Sequence, residues 1–314
     1  MGEKMSKYPT AIQEHLKGML ENPIYTTAAQ EELEDTLSDN VIFSTGSQKE
    51  IPTLSVSVSW NPTYLSNLQL WLKSDIGVSE TNASVYIWED QSSNSYTFFQ
   101  TNVGAEPILV PDVVNEIDIL RFDGANSYLA TSTADIMGGG TPGGEFTAFA
   151  VAALNASPAA YGAFISTADE GTDWHHILYL GISDKNVPTG ADSRPTVYVY
   201  EDGSVNQDNL GSPTNSYGDT DFHIYTYDSD DSTHHMWVDG VSQSIIAQGN
   251  ANNGAWLTNV TGRDNTTIGA VEDNDLARYF KGDIAEIIVY NTCLGQSDRE
   301  SVEGYLSSRY DITI

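Results

Sequence analysis

The chain is poor in cysteine and in basic residues. It has one cysteine, Cys293, which excludes an internal disulfide and a zinc site built on thiolates. Lysine and arginine together number 13 against 44 acidic residues, which gives a formal net charge of −31. This balance argues against binding to nucleic acid phosphates and to anionic membrane surfaces, because both require clustered basic side chains. A strong charge of one sign is typical of a protein that stays soluble at high concentration.

Long apolar runs are also missing. The longest are short, such as Ile284–Tyr290, whereas a membrane-spanning helix needs about 20 apolar residues. No apolar stretch of a secretory signal follows the N-terminal residues, so we expect synthesis in a cytoplasm without export. Hydrophobic residues still make up 39% of the chain, with 17 Tyr and 6 Trp, which is enough for a substantial core.

Residues 1–50 predict two short helices that need a partner. Thr10 and Gln13 have the spacing of a capping box, and so do Thr27 and Gln30. Helices this short are marginal in isolation, so their apolar stripes must pack on the β-domain, on copies of the same chain or on another protein. We predict an arm that anchors the chain in a larger assembly, with packing on its own β-domain as the alternative. The stripes are Ile12, Leu16, Met19 and Leu20 in the first helix, and Ala29, Leu33 and Leu37 in the second.

Residues 51–314 have the pattern of an all-β domain. Leu54–Trp60 alternates strictly between apolar and polar residues, and the pairs Asp123-Gly124 and Asp239-Gly240 are strong turn signals. Many strands without alternating helices predict an antiparallel β-sandwich jelly roll, closed by one C-terminal helix that a capping box at Ser297–Glu300 begins. The other predicted strands are Leu68–Lys73, Val85–Glu89, Ile119–Phe122, Phe146–Leu154, His176–Ile182, Thr196–Tyr200, Phe222–Tyr227, His234–Val238 and Asp283–Tyr290.

Several segments in matching order resemble the laminin-G-like branch of the concanavalin A-like lectin/glucanase superfamily. Leu68–Asp75 and Trp88–Asn94 are similar to the family's opening strand and its tryptophan–aspartate–serine turn. Leu120–Leu129 resembles the family's second strand and hairpin, and Met236–Gly240 resembles a later strand-to-turn element. Phe280–Asn291, followed by the helix to Leu306, resembles the closing strand and terminal helix. The resemblance implies two antiparallel sheets packed face to face. Family members bind glycans, bind proteins, cleave polysaccharides or only build surfaces, so the fold does not determine the function.

One strand is similar to the catalytic strand of the superfamily's glucanases but lacks part of it. Three alternating carboxylates would supply a nucleophile, a supporting aspartate and an acid/base. Glu116 and Asp118 fill two of the places, whereas Leu120 and Arg121 stand where the third carboxylate would be. Without a general acid the leaving group has no proton donor. We therefore predict that the chain is not an enzyme and has no catalytic residues.

Two aromatic and histidine clusters are the predicted ligand-binding residues. Trp174, His175 and His176 follow a stretch rich in Gly and Asp, where rings stack on sugar faces and imidazoles bond to hydroxyl groups. His234 and His235, which precede Met236-Trp237, are predicted by the same argument. The alternative is a structural role with one histidine of each pair buried. Adjacent histidines on a strand point to opposite faces, so no metal site is predicted on them.

Acidic clusters leave calcium open as an alternative to the absence of a cofactor. Asp228–Asp231 and Glu272–Asp275 offer the oxygen ligands that calcium prefers, but neither has the spacing of an EF-hand. Chance clusters are expected in so acidic a chain. The prediction is therefore no cofactor and no metal, with calcium as the alternative.

Two functions remain for such a chain. The first is a non-enzymatic protein of a virion surface, as in the head-decoration and tail proteins of bacteriophages, made in the host cytoplasm. Its arm would contact other virion proteins or copies of itself, and its lectin-like domain would bind host-surface glycans. The alternative is a free-standing bacterial lectin or adhesin, with or without calcium. Neither function involves nucleic acid or a membrane.

Overall fold

The computed structural model describes residues 60–132, 136–137, 144–155, 161–171, 177–183, 194–200, 207–210, 217, 219–248, 260, 262–272 and 275–314. The predicted N-terminal arm and the strand Leu54–Trp60, except for Trp60, lie outside these residues. The division at residue 50 therefore stays a prediction.

Among the described residues, twenty strands and one long helix follow a short 3-10 turn at Pro62–Tyr64. The first ten strands are β1 Leu68–Lys73, β2 Val78–Thr81, β3 Ser84–Glu89, β4 Thr97–Phe99, β5 Ile108–Val114, β6 Ile117–Asp123, β7 Leu129–Thr131, β8 Phe146–Leu154, β9 Tyr161–Ala168 and β10 Ile177–Ser183. The others are β11 Arg194–Tyr200, β12 Gln207–Leu210, β13 His223–Ser229, β14 His234–Val238, β15 Val241–Ser242, β16 Ile246–Gln248, β17 Asn265–Ile268, β18 Val271–Glu272, β19 Leu276–Ala277 and β20 Lys281–Tyr290. The helix is α1, Gln296–Tyr310.

Eighteen of these strands form two antiparallel layers that hydrogen-bonded pairing connects, and β18 and β19 form a separate two-stranded sheet. Sheet I runs β15–β14–β13–β8–β20, and the far edge of β20 pairs with β6 along its first half and with β1 along its second half. Sheet II runs β4–β7–β17–β9–β10–β11–β12–β16. Strand β3 pairs with both β4 and β5 and so joins the layers. This is the predicted antiparallel β-sandwich, and the all-β fold class is confirmed.

Alternation along the strands fills the space between the two sheets. In β8, Ala148, Ala150 and Ala152 belong to the central core, whereas Phe149 and Val151 belong to a second cluster on the outer face of sheet I. Both sides of β8 are buried, which explains its uninterrupted apolar sequence. The second cluster exists because α1 covers this outer face with Val302, Leu306 and Tyr310.

The helix begins differently from the prediction. Gly295 is the N-cap, and no side chain caps the helix, so the predicted capping box at Ser297–Glu300 is wrong. The backbone carbonyl of Ser297 accepts a bond from the Ser301 hydroxyl, and Glu300 accepts one from the side chain of Gln296. The N-cap lies two residues earlier than predicted, at Gly295 instead of Ser297, and Glu300 lies on the exposed side of the helix.

Asp90 and Gly124 lie in two turns of the segments that resemble the family, and each stabilises its turn. Asp90 Oδ1 accepts hydrogen bonds from the backbone N–H groups of Trp71 and Ser92, both at 2.8 Å, and so ties the turn after β3 to β1. Gly124 follows Asp123 with φ +73°, and a Cβ there would lie 2.5 Å from Lys281. Only glycine therefore fits this turn.

Candidate functional site

The predicted ligand residues fall in different places. Trp174, His175 and His176 lie outside the described residues, so their role stays a prediction. His234 is fully buried in β14, where its ring lies 6.0 Å from the ring of Phe146. Burial lowers the pKa of His234 to about 4, so the ring is neutral at physiological pH. A ligand would reach the His234 ring only after its neighbours had moved. This burial agrees with the alternative of a structural role for one histidine of the pair.

His235 points to the other side of the strand and is half-exposed. Its Nδ1 lies 2.7 Å from Oδ1 of the buried Asp228, and its Nε2 lies 3.1 Å from the hydroxyl of Thr233. Both ring nitrogens therefore already have partners. Within the cluster Asp228–Asp231, Asp231 accepts a bond from the backbone of Gly144. These contacts are structural, and the ligand role of His235 stays a prediction.

The incomplete carboxylate strand is not arranged as a pair of catalytic acids. Glu116 lies exposed in the turn between β5 and β6 with φ +60°. Asp118 Oδ1 accepts the backbone N–H of Asp112 at 3.1 Å. Arg121, which stands near the missing carboxylate, forms two 2.8 Å bonds with Asp283 of β20. Asp283 therefore has a structural role as the partner of Arg121.

A larger concavity lies where α1 meets β1 on the outer face of sheet I. This helix cleft has a volume of about 840 Å³, within the range of about 300–1,000 Å³ that is usual for ligand sites. The rings of Trp60, Trp71 and Tyr305 line it, and the Tyr305 centroid lies 6.0 and 6.2 Å from those of Trp60 and Trp71. Polar groups share the lining, namely Asn61, Lys73, Ser301, Ser308 and Arg309.

The buried carboxylate of Glu286 bonds to two lining residues of the helix cleft, Trp71 and Arg309. Glu286 accepts bonds from Trp71 Nε1 at 2.6 Å, Tyr310 OH at 2.7 Å and Arg309 Nε at 3.1 Å. A bulge between Ile284 and Glu286 changes the register of β20 and directs Glu286 toward the helix. Burial raises the pKa of Glu286, whereas the bonds from Trp71 and Tyr310 lower it in part. Glu286 therefore fixes the angle of the Trp71 ring that the cleft presents.

Lys73 supplies hydrogen-bond donors to the helix cleft. Its side chain lies over the Trp71 ring, with Nζ 5.3 Å from the centroid, and no described residue accepts a hydrogen bond from Nζ. Burial and the neighbouring Arg309 lower the pKa of Lys73. Arg309 is already engaged, because its Nη2 donates to Asp75 at 2.6 Å. Aromatic walls with a few fixed donors are the chemistry that holds a sugar ring, which has apolar C–H faces and hydroxyl edges.

A smaller cleft lies on the outer face of sheet II. This sheet cleft has a volume of about 210 Å³ and is lined by Phe99, Tyr128 and three acidic residues. The acidic residues are Glu170 after β9, Asp264 before β17 and Glu272 in β18. Burial and the nearby carboxylates of Glu170 and Asp264 raise the pKa of Glu272. Glu272 belongs to one of the two predicted acidic clusters, and the fold brings it together with carboxylates more than 100 residues earlier and 8 residues earlier.

The described part of the chain gives no sign of a metal cluster or of a membrane-spanning helix. No group of three or more His, Cys, Asp or Glu side chains there is placed to hold a metal ion. No helix there is long and apolar enough to cross a membrane.

Comparisons with known proteins give structural likenesses only. No family model and no curated protein matches the chain. The NanB sialidase from Streptococcus pneumoniae is 15% identical with a TM-score of 0.43, over 58% of this chain and 26% of the NanB chain. This chain therefore spans about a quarter of that protein's length.

Two separate domains show similar likenesses. The CBM40 of the Ruminococcus gnavus IT-sialidase, solved with α2,6 sialyllactose, is 15% identical with a TM-score of 0.41, over 51% of this chain and 83% of that chain. Domain 4 of AbnA, a GH43 extracellular arabinanase from Geobacillus stearothermophilus solved with arabinotriose, is 15% identical with a TM-score of 0.48, over 76% of this chain and 97% of that chain. Likenesses of this size establish neither a ligand nor an activity for this chain.

Sequence reasoning missed both clefts. Tyr305 lies more than 230 residues after Trp60 and Trp71. The local pattern around each ring indicates only a strand or a helix face. The usable signal was Trp71, because it is a large aromatic residue at the outward position of a strand whose inward residues, Leu70 and Leu72, are core.

Proposed function

We propose that this protein is a non-enzymatic, lectin-like glycan-binding protein that holds a sugar in the helix cleft. The observation that carries the proposal is the group of three aromatic rings, Trp60, Trp71 and Tyr305, lining one cleft of about 840 Å³. Their faces offer apolar contact to sugar C–H groups. Lys73 Nζ and the Asn61 amide offer hydrogen bonds to sugar oxygens.

The absence of catalysis is part of the same proposal. Hydrolysis of a glycoside generally uses two carboxyl groups, one free to donate a proton and one free to attack or to activate water. The cleft residue Arg309 donates to two carboxylates, those of Glu286 and Asp75. Both carboxylates are thus engaged in contacts within the fold, so we propose binding without cleavage.

A glycan array with the full chain tests the proposal, run with calcium and with a chelator. We expect binding to a defined set of glycans and no loss of binding in the chelator. For the best glycan, Trp60→Ala and Tyr305→Ala should each weaken binding about fivefold to tenfold, since an aromatic contact contributes about 1 kcal/mol. The matched control is Tyr86→Ala, which removes an exposed tyrosine from β3 outside the cleft.

Other outcomes of these experiments would contradict the proposed function. Binding that survives both cleft substitutions, or that Tyr86→Ala weakens equally, would place the glycan elsewhere. Release of reducing sugar from any bound glycan would contradict the non-enzymatic part of the proposal.

The location on a phage particle stays a finer prediction. It depends on an arm at residues 1–50, which lies outside the described residues, and the alternative remains a free-standing bacterial lectin. Co-purification from the native source distinguishes them, because a virion protein should sediment with particles and a free lectin should not.

A further inference from the structure

The sheet cleft concentrates negative charge. The carboxylates of Glu170, Asp264 and Glu272 line it, and among its described lining residues there is no lysine or arginine. Like charges at one site repel, which is one reason that the pKa of Glu272 lies above its usual value. A bound cation would remove this repulsion.

Asn265 gives an independent sign that a donor is missing. This residue lines the cleft and is only 4% exposed. Its Nδ2 donates to the backbone carbonyl of Glu272 at 2.9 Å and to Asp264 Oδ1 at 3.3 Å, which fixes the orientation of the amide. Its Oδ1 accepts no hydrogen bond from any residue that the structure describes. Buried acceptors are normally satisfied, so the cleft lacks one donor.

The aromatic wall narrows the class of cation. Phe99 lies at the cleft with 43% of its surface exposed, and Tyr128 lies beside it. An aromatic face attracts a cation within about 6 Å of its centre and also packs on an apolar ring. A bare metal ion has no apolar ring to pack on Phe99, whereas a cationic group attached to a ring uses both properties.

We propose that the sheet cleft binds a primary ammonium group attached to a sugar ring, the chemistry of an amino sugar that carries no acetyl group. The ammonium has three donors for the carboxylates and for Asn265 Oδ1, and the ring packs on Phe99. The net charge of −31 draws such a ligand toward the protein. This second site is separate from the helix cleft and does not depend on the function proposed there.

The test compares two ligands that differ only at the amine. Chitotriose with three free amines and its tri-N-acetylated form are titrated calorimetrically at pH 6 and about 0.15 M salt, where long-range attraction is screened beyond about 8 Å. We expect the free amine to bind at least about tenfold more tightly, since a charge-assisted hydrogen bond is roughly twice as strong as a neutral one. Glu272→Gln and Asp264→Asn should each reduce its affinity about tenfold.

Controls separate a built site from general attraction to an acidic protein. Glu116→Gln removes one exposed carboxylate outside the cleft and should leave the affinity unchanged. Trp60→Ala should also leave it unchanged, because Trp60 lines only the helix cleft. Thermal unfolding of each variant checks that the fold is intact.

Proton release on binding gives a further test of the sheet cleft. Near pH 5, binding measured in two buffers of different ionisation enthalpy should release protons, because the bound ammonium lowers the pKa of Glu272. Equal affinity for the two sugars would overturn the proposal, as would equal weakening by Glu116→Gln. Calcium alone binding in the cleft, with no binding of the amine, would make it a metal site and would overturn the proposal as well.

Discussion

The carboxylates on the two outer faces of the sandwich differ in the hydrogen-bond donors that surround them. On sheet I, α1 covers a large apolar cluster, and the carboxylates beneath it have close partners: Glu286 binds Trp71, Tyr310 and Arg309, and Glu303 binds Arg299 at 2.6 Å. On sheet II the outer cluster is small and three carboxylates line one cleft, where Asp264 accepts bonds from Glu170 N–H and Asn265 and the described residues give Glu272 no such donor. The difference teaches that burial alone does not mark a functional acid. A carboxylate with fitted donors serves the fold, and one left among other carboxylates is available to a ligand.

The strongest way to break this comparison is the same substitution on both faces. Glu286→Gln should lower the free energy of unfolding by about 3 kcal/mol, because it removes the charge that three buried donors share. The matched change on sheet II, Glu272→Gln, should alter it by no more than about 0.5 kcal/mol. Urea unfolding at pH 7 measures both, and similar losses would mean that the two faces do not differ.

The pH dependence of stability sharpens the comparison, beginning with His234 in sheet I. Its pKa is about 4 in the folded protein, against an ordinary histidine pKa of 6.5. Between these values only the unfolded chain takes up the proton, so stability falls as the pH is lowered through this window. The loss amounts to at most about 3 kcal/mol, at about 1.4 kcal/mol for each pKa unit. In His234→Gln this loss should be absent, and unfolding curves from pH 7 to 4 that stay parallel to the parent's would contradict it.

Glu272 should produce a smaller effect of the opposite sign. Its pKa is raised in the folded protein, so its ionisation costs stability above that pKa. The cost disappears as the pH falls below the ordinary glutamate pKa of 4.5. Because the group is partly exposed, solvent limits the cost to below about 1 kcal/mol. Glu272→Gln should therefore be slightly more stable than the parent at pH 7 and equal to it at pH 4. A variant less stable at pH 7 would show that Glu272 supports the fold.

Much of the sandwich was predictable because its strands carry local patterns. Leu68–Lys73, Phe146–Leu154 and His234–Val238 have the predicted bounds, since alternation or a continuous apolar run marks each of them. Short strands such as β7 and β17 were missed, because three or four residues carry too little pattern and pairing across the sheet decides them.

The clefts were beyond sequence reasoning for a different reason. The contact of Trp71 with Glu286 joins residues 215 positions apart, and it depends on a bulge in β20 that no local pattern marks. The histidines were singled out for their residue type, and the fold buries His234 beside Phe146 because alternation turns it inward. Residue type proposes chemistry, but strand orientation decides which side chains meet.

The pairing of β20 also has a consequence for biosynthesis. Residues 281–290 pair with one edge of each of three strands, β1, β6 and β8. These three strands leave the ribosome much earlier. Until that segment emerges, the nascent polypeptide exposes unsatisfied strand edges, which are prone to aggregation. Folding of sheet I must therefore wait for the end of translation of this domain. A premature stop before Tyr290 would leave an aggregating fragment for chaperones and proteases instead of a shortened lectin-like domain.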